Sequence, residues 1–305
     1  MRNAFIRALT DAAAKDERIV FLTADLGFKL FDDFARRYPG RFFNVGVAEA
    51  NMAGVATGLA LEGRKPFIYS IVTFATLRCY EQIRNDIAYH DADVTVVGVG
   101  GGYSYGHNGP THHALEDMGM LRMLPNMTVL APGDPEETVA CVGALARHRG
   151  PAYLRLGRAG EPSVHGKAVT VEIGRSILMR DGNDGAILST GNMLSTAVKV
   201  GELLAEKSFA CRVISMPSVK PLDHEAVEKA VRETRFIATL EEHTLLGGFG
   251  SAIAEVVAGL GKGIRFRRFG APDRFSHVCG DQAFHRQANG LMPQQIADAL
   301  LPLLR

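Results

Sequence analysis

The sequence predicts an α/β protein of two doubly wound domains, each built around a mainly parallel sheet. Three observations carry that expectation. Short apolar runs rich in β-branched residues alternate with longer helical stretches, as when crossover helices cover both faces of a parallel sheet. The rhythm breaks at 159–184, where Gly, Pro and charge accumulate, and then resumes. A length of 305 residues also suits two domains at roughly 150 residues apiece.

Along the first domain, residues 1–165, strands are expected at 19–24 (IVFLTA), 42–46 (FFNVG), 67–72 (FIYSIV), 94–99 (VTVVGV), 128–131 (TVLA) and 152–156 (AYLRL). Between them, segments near 3–15, 29–37, 48–62, 74–90 and 134–148 read as helices. Residues 166–184 read as the linker. The second domain, 185–305, repeats the alternation on a smaller scale. Its strands are expected at 185–190, 210–216, 236–241 and 264–269, its helices at 192–206, 223–233, 249–260 and 293–304. No repeat of fixed period and no low-complexity tract is evident.

Composition narrows the function classes. Hydrophobic residues at 47% and charged residues at 22% are ordinary for a globular protein. A chain of this size buries about three-quarters of its unfolded surface, enough for a core without staples. Lys+Arg 34 against Asp+Glu 33 leaves no bulk basic field to hold nucleic acid or an anionic membrane. Cys79, Cys141, Cys211 and Cys279 lie 62 to 70 residues apart, so no CxxC pair suggests a zinc ribbon or a dithiol site. Lone thiols fit a reducing compartment. The N-terminus opens an amphipathic helix rather than a signal peptide, and no run approaches the ~20 apolar residues of a membrane span. A cytoplasmic location is expected.

Ligands of open α/β sheets gather at the carboxyl ends of the strands, which turns the strand list into a site list. The first strand ends at Asp25, with Lys29 shortly after; Glu49 follows the second and Phe74 the third. The fourth runs into a Gly-rich loop from Gly100 to His113, and Arg158 stands beyond the last. A carboxylate, an aromatic ring, a polar Gly-rich loop and an arginine thus converge on one edge. Each also has a plain structural reading. Glu49 can complement a helix dipole, Phe74 can be core, and Gly98–Gly109 lacks the G-x-G-x-x-G spacing because Tyr103 takes the third position. No G-x-x-x-x-G-K-[ST] supports a nucleoside-triphosphate site. His112, His113, Glu116 and Asp117 are dense enough to suggest metal ligands, but adjacent histidines diverge and no HExxH completes a set.

Together these residues carry a resemblance. Asn44–Gly54 (NVGVAEANMAG) resembles the pyrimidine-binding segment of transketolases, and Thr73–Arg84 (TFATLRCYEQIR) their aromatic segment. Gly109-Pro110-Thr111-His112 is similar to their GPTH signature. Lys220-Pro221-Leu222-Asp223, Glu241-Glu242-His243 and Gly247–Ser251 (GGFGS) resemble the same family's third domain. The resemblance runs in order over essentially the whole chain. It implies a thiamine diphosphate pyrimidine-binding domain followed by a smaller transketolase C-terminal-type domain. The family's pyrophosphate-binding element, G-D-G followed by Asn, is missing from this sequence. The chain therefore resembles the C-terminal half, as in enzymes split into two subunits. The implied partner is an N-terminal transketolase subunit that carries G-D-G…Asn and holds Mg²⁺ or Ca²⁺. A heterotetramer with two copies of each subunit is expected, since closed two-fold assemblies are commonest.

The resemblance also assigns roles. Glu49 would hydrogen-bond the cofactor's aminopyrimidine and drive its imino tautomer, Phe74 would be the platform for the ring, and Asp25 would lie against the cofactor. A two-carbon ketol (glycolaldehyde) unit would pass from a ketose to an aldose through a covalent cofactor adduct. His112 would bond the substrate near its carbonyl, and Arg158 would meet a phosphate. Some positions depart from the common pattern. Asn108 stands where transketolases carry an Asp that reads the donor hydroxyl, Gly100 replaces a phosphate-contacting His, and Lys29 a Ser. Arg2 is spaced like a phosphate-binding Arg, but its place at the terminus predicts little restraint. Enough cations remain for a phosphorylated or otherwise acidic sugar. Two other thiamine diphosphate enzymes stay open: a 1-deoxyxylulose-5-phosphate synthase-like subunit, and the β subunit of a 2-oxo-acid dehydrogenase. GPTH with Asn108 favours the transketolase branch. A non-catalytic scaffold is the alternative from another class, and a metal hydrolase comes last.

Overall fold

The run IVFLT at Ile19–Thr23 (β1) is buried along its whole length, and its alternation divides it between two cores. Ile19 and Phe21 cluster with Phe5, Leu9 and Phe34 on one face, Val20 and Leu22 with Met52, Ala53 and Ala56 on the other. A strand covered on both sides is expected to be nearly continuously apolar, and here only the terminal Thr23 is polar, its hydroxyl donating to the Leu26 carbonyl at 3.1 Å. The computed structural model describes residues 1–304. In it β1 joins β2 (Phe42–Asn44), β3 (Lys65–Ile71), β4 (Thr95–Val99), β5 (Thr128–Leu130) and β6 (Ala152–Leu156) in the parallel order β5-β6-β4-β3-β1-β2. Phe21 sits between Phe42 and Phe67 in register. Helices α1 (Arg2–Ala13), α2 (Asp32–Arg37), α3 (Glu49–Leu61), α4 (Val72–Thr76), α5 (Tyr80–Gln82), α6 (Asp117–Arg122) and α7 (Pro135–Arg147) connect the strands. Asp134 caps α7, accepting from the Glu137 N–H at 2.8 Å with Pro135 at the first helical position.

The second sheet is smaller. It contains β7 (Ile177–Arg180), β8 (Gly185–Ser189), β9 (Cys211–Ser215), β11 (Phe236–Thr244) and β12 (Arg265–Ala271), in the order β12-β11-β8-β9-β7. Only β7 runs antiparallel there. Helices α8 (Leu194–Ala205), α9 (His224–Glu233), α10 (Phe249–Gly259), α11 (Gln282–Ala288) and α12 (Pro293–Leu304) flank it. Between β9 and α9, β10 (Ser218–Lys220) crosses back and pairs antiparallel with β5, so the second half of the chain completes the first sheet. No helix among the described residues is long and apolar enough to cross a membrane.

Several expectations need correction. The stretch 159–184 is not wholly irregular, because the alternating half-buried and exposed residues of β7 make an edge strand there. The helix expected over 74–90 is three pieces: α4, α5 and a π-helical turn at Ile83–Ala88. Strand β10 and helices α6 and α11 were not anticipated. Three residues enclosed by Pro217 and Pro221, and helices of six and seven residues, leave too little periodicity to read.

The end of β11 carries the Glu-Glu-His run. Glu241 is buried against the start of α10, accepting from the Phe249 and Gly250 N–H groups at 2.7 and 2.8 Å. Burial pushes its carboxyl up to about 7 from an ordinary 4.5, against the pull of those donors. The folded state then binds this proton more tightly than the unfolded chain. The stability it contributes is complete below the unfolded value and is lost as pH rises through 7. His243 beside it acts oppositely: burial lowers its pKa, so stability is lost as pH falls below the ordinary histidine value. Glu241→Gln should therefore flatten the alkaline side of a Tm-versus-pH curve. Between pH 6 and 8.5 the wild type should lose roughly 1 to 2 kcal/mol more than the variant, which differential scanning calorimetry would read. Parallel curves would show that Glu241 is ionised in the fold throughout.

Candidate active site

The loops after β1, β2, β3, β4 and β6 share the carboxyl edge of the first sheet. The chain steps outward from β1 to β2, then returns across β1 to β3, so the topological switch point lies at β1 and β3. Glu49 opens α3 beside it and is 1% exposed. Its Oε1 accepts from Ser70 Oγ at 2.9 Å and its Oε2 from Arg78 Nη1 at 2.8 Å. The Arg78 guanidinium lies over the Phe74 ring, 4.5 Å from its centroid. His112 meets the Phe74 ring edge-on at 5.2 Å, Tyr105 meets His112 at 6.1 Å, and Arg158 stands 5.1 Å over Tyr105. One contiguous line of side chains thus joins Glu49, Phe74, His112 and Arg158.

His112 Nδ1 lies 3.0 Å from Thr111 Oγ1, and Thr73 Oγ1 donates to the Thr111 carbonyl at 3.0 Å, tying the loop to α4. Burial and the neighbouring His113 hold the His112 imidazole below its ordinary pKa, so the ring is neutral at physiological pH. The Thr111 hydroxyl can donate to Nδ1, and in that tautomer the ring proton sits on Nε2 as a donor. His113 points elsewhere, its Nε2 3.1 Å from the Gly106 carbonyl. Asp117 is committed to Arg155 in a fully buried pair at 2.8 Å. Among the described residues no group of three or more His, Cys, Asp or Glu side chains is placed to hold a metal ion. His113 and Asp117 are thus engaged in contacts within the fold.

The other expected residues divide. Arg2 is better restrained than its position suggests. It begins α1 behind a buried Met1, whose amino group pairs with Glu161 at 2.8 Å. The Arg2 Nε is buried without a hydrogen-bond partner, and its charge, like that of Arg158, acts on the Tyr105 hydroxyl. The pairing of Arg158 with Glu161 that its spacing allows does not form, because Glu161 is taken by Met1. Asp25 pairs with Asn44, accepting from Nδ2 at 2.9 Å and donating its N–H to Oδ1 at 3.0 Å, which joins the β1 and β2 loops. Lys29 is exposed with φ 65°, and Asn108 is exposed in the short 3₁₀ turn Gly106–Asn108. Three participants were missed: Ser70, Arg78 and Tyr105. Arg78 follows Phe74 by four residues, the spacing that shares a helix face.

A cleft of about 660 Å³ lies between the two halves of the chain, lined by Thr73, Thr111, Met120, Leu246 and Phe275 among others. None of Glu49, Phe74 and His112 lines it. The planar Arg78 guanidinium makes two contacts at once, an N–H to Glu49 and a face on Phe74. A planar, N–H-bearing heterocycle would make the same two.

Residues 1–161 match the family model described as transketolase, pyrimidine binding domain, and residues 174–296 that of transketolase, C-terminal domain. The chain is 37% identical over 259 residues to one of the subunits of the apulose-4-phosphate transketolase of Phocaeicola vulgatus, covering 84% of this chain and 83% of that protein. It is 36% identical over 300 residues to the 6-deoxy-6-sulfo-D-fructose transketolase subunit SqwH of a Clostridium species, covering 98% and 92%. Among solved structures, a split gene transketolase described as an inactive beta4 tetramer matches with a TM-score of 0.92 at 36% identity, over 99% of this chain and 97% of that one.

Proposed function

The chain belongs to the transketolase family, and from that premise we propose that it is the C-terminal subunit of a split transketolase, moving a two-carbon ketol unit from a ketose to an aldose. The observation that carries this reading is the buried Glu49 carboxyl beside the Phe74 face at the sheet's switch point. The residues fit the aminopyrimidine of thiamine diphosphate, because Arg78 already makes the contacts that ring would make. When bound, thiamine diphosphate supplies the nucleophilic carbon that carries the ketol unit.

The remaining roles belong to this chain. Glu49 holds and returns a proton at its carboxyl oxygen, with Ser70 fixing the orientation of that group. Phe74 offers its face once Arg78 swings aside. His112 donates from Nε2 to a substrate oxygen. Arg158 and Arg2, whose charges both act on Tyr105, bind an anionic tail, phosphate or sulfonate, with Lys29 and Asn108 at the rim and Asp25 joining the β1 and β2 loops. Relatives named for a sugar phosphate and for a sulfonated sugar fit an acidic substrate.

An N-terminal subunit carrying G-D-G…Asn would close the site, bind the diphosphate and hold the Mg²⁺ or Ca²⁺. The relatives named as subunits and an assembly of beta chains described as inactive support that requirement. Titration calorimetry of thiamine diphosphate with Mg²⁺ tests it. Weak binding is expected to this chain alone, tight binding and ketol transfer after mixing with the partner. Tight Mg²⁺-dependent binding to the single chain would overturn the partner requirement. Release of CO₂ from pyruvate by the mixture, without ketol transfer, would overturn the choice of reaction.

A further inference from the structure

The loop 100–114 that carries Asn108 and His112 is gripped from the second domain. Its ends are drawn together by the backbone bridge between Gly102 and Ala114, with N···O distances of 2.8 and 3.0 Å. The Glu242 carboxylate, on β11 and fully buried, then accepts from the Tyr103 N–H at 2.7 Å. Gln282 Nε2 at 2.7 Å and the Arg286 guanidinium, both on α11, hold the same carboxylate. Gly102 has φ +68°, and a Cβ there would strike Glu242, so glycine is what lets the carboxylate reach the loop backbone.

The aromatic contacts point the same way. The Tyr103 ring stacks on His285 of α11, centroids 4.8 Å apart and planes 9° apart, while its hydroxyl accepts from Asn289 Nδ2 at 3.2 Å. His113, next to His112, packs edge-on against both rings at 5.3 and 4.7 Å. One Arg155 nitrogen donates to the carbonyls of Ala114, at 2.8 Å, and Glu242, at 3.0 Å, joining the loop's end to β11. Burying a carboxylate is costly unless it is fully paired. Here its principal partners are the loop and the helix behind the loop.

We propose that the second domain serves catalysis as a clamp on this loop, with Glu242 and His285 as positioning residues for His112. The catalytic meaning of the clamp rests on the ketol-transfer reading above; the clamp itself does not. Glu242→Gln keeps the shape, yet an amide with one acceptor oxygen cannot serve Tyr103, Gln282 and Arg286 together. In the isolated chain, hydrogen exchange should show amides of 103–112 exchanging about tenfold faster in the variant, with β1 and β3 unchanged. In the two-chain enzyme, kcat should fall about tenfold while cofactor affinity stays within about twofold. In a His112→Ala background the same change should cost almost nothing, because the loop has then lost what it positions.

Gln282→Leu is the second variant and carries the test should Glu242→Gln not fold. A folded variant with wild-type exchange in the loop overturns the clamp, whatever the enzyme does. Equal losses of turnover with and without His112 overturn the positioning role and leave Glu242 purely structural. Faster loop exchange, in a wild-type pair of chains that transfers no ketol unit, supports the clamp and counts against the functional reading instead.

Discussion

Glu49→Gln should lower ketol-transfer turnover of the two-chain enzyme by two or more decades, in line with the roughly 10²–10⁴-fold contribution of a positioned acid–base group. The amide keeps the side chain's length and can still accept from Ser70, which lies 2.9 Å from Oε1. It cannot take up and return a proton. The Arg78 contact at 2.8 Å also loses its charge partner, and because Arg78 is 47% exposed, the loss to stability should be about 1 kcal/mol or less. Turnover and stability are thereby separated. Calorimetry should find Tm within a few degrees of wild type while stopped-flow or coupled assays find activity almost gone. If turnover survived with Tm unchanged, Glu49 would be no more than a carboxylate at the start of α3, and the reading would fail at its centre.

Much of the fold was legible because the parallel sheets force it to be. A strand such as β1, buried on both faces, is mostly apolar, and five such runs separated by helices are hard to misread. The strand ends then located Glu49, Phe74, the Gly-rich loop and Arg158 at one edge, where the structure joins them in a single line of contacts. What escaped depends on long-range partners. Arg155 reads as an ordinary strand residue, and only the fold brings Asp117, Ala114 and the Glu242 carbonyl around it. For Arg78, the four-residue spacing pairs it with Phe74, but its bond to Glu49, 29 residues away, is a contact only the fold makes. The motifs at 220–223 and 241–243 looked like family marks without mechanics. Asp223 proves to cap α9 through the Ala226 N–H at 3.1 Å, and the glutamates anchor α10 and the active-site loop.

Arg158→Ala should raise the KM for a ketose with a phosphate or sulfonate tail by roughly ten- to a hundredfold, the loss of charge-assisted hydrogen bonds at about 1.5–3 kcal/mol. Arg158 lies past the end of β6, where an open sheet presents its ligands. Its charge has no structural employment that would compete. Glu161, the nearest carboxylate in sequence, pairs with the Met1 amino group, and among the described residues no carboxylate stands within 4 Å of the Arg158 guanidinium in an ion pair. Stacking on Tyr105 at 5.1 Å holds the group in place without neutralising it. The Arg2 Nε is buried with no hydrogen-bond partner, and its charge acts on the same Tyr105 hydroxyl. Both arginines are more weakly hydrated than a lysine and present a planar fork to a tetrahedral oxyanion. A ketose lacking the anionic tail never used that contact, so its kcat/KM should change by less than about threefold. Steady-state kinetics on the matched pair of ketoses decides it. Equal losses on both would remove Arg158 from the tail site and leave it as a brace for Tyr105 and, through Tyr105, for His112.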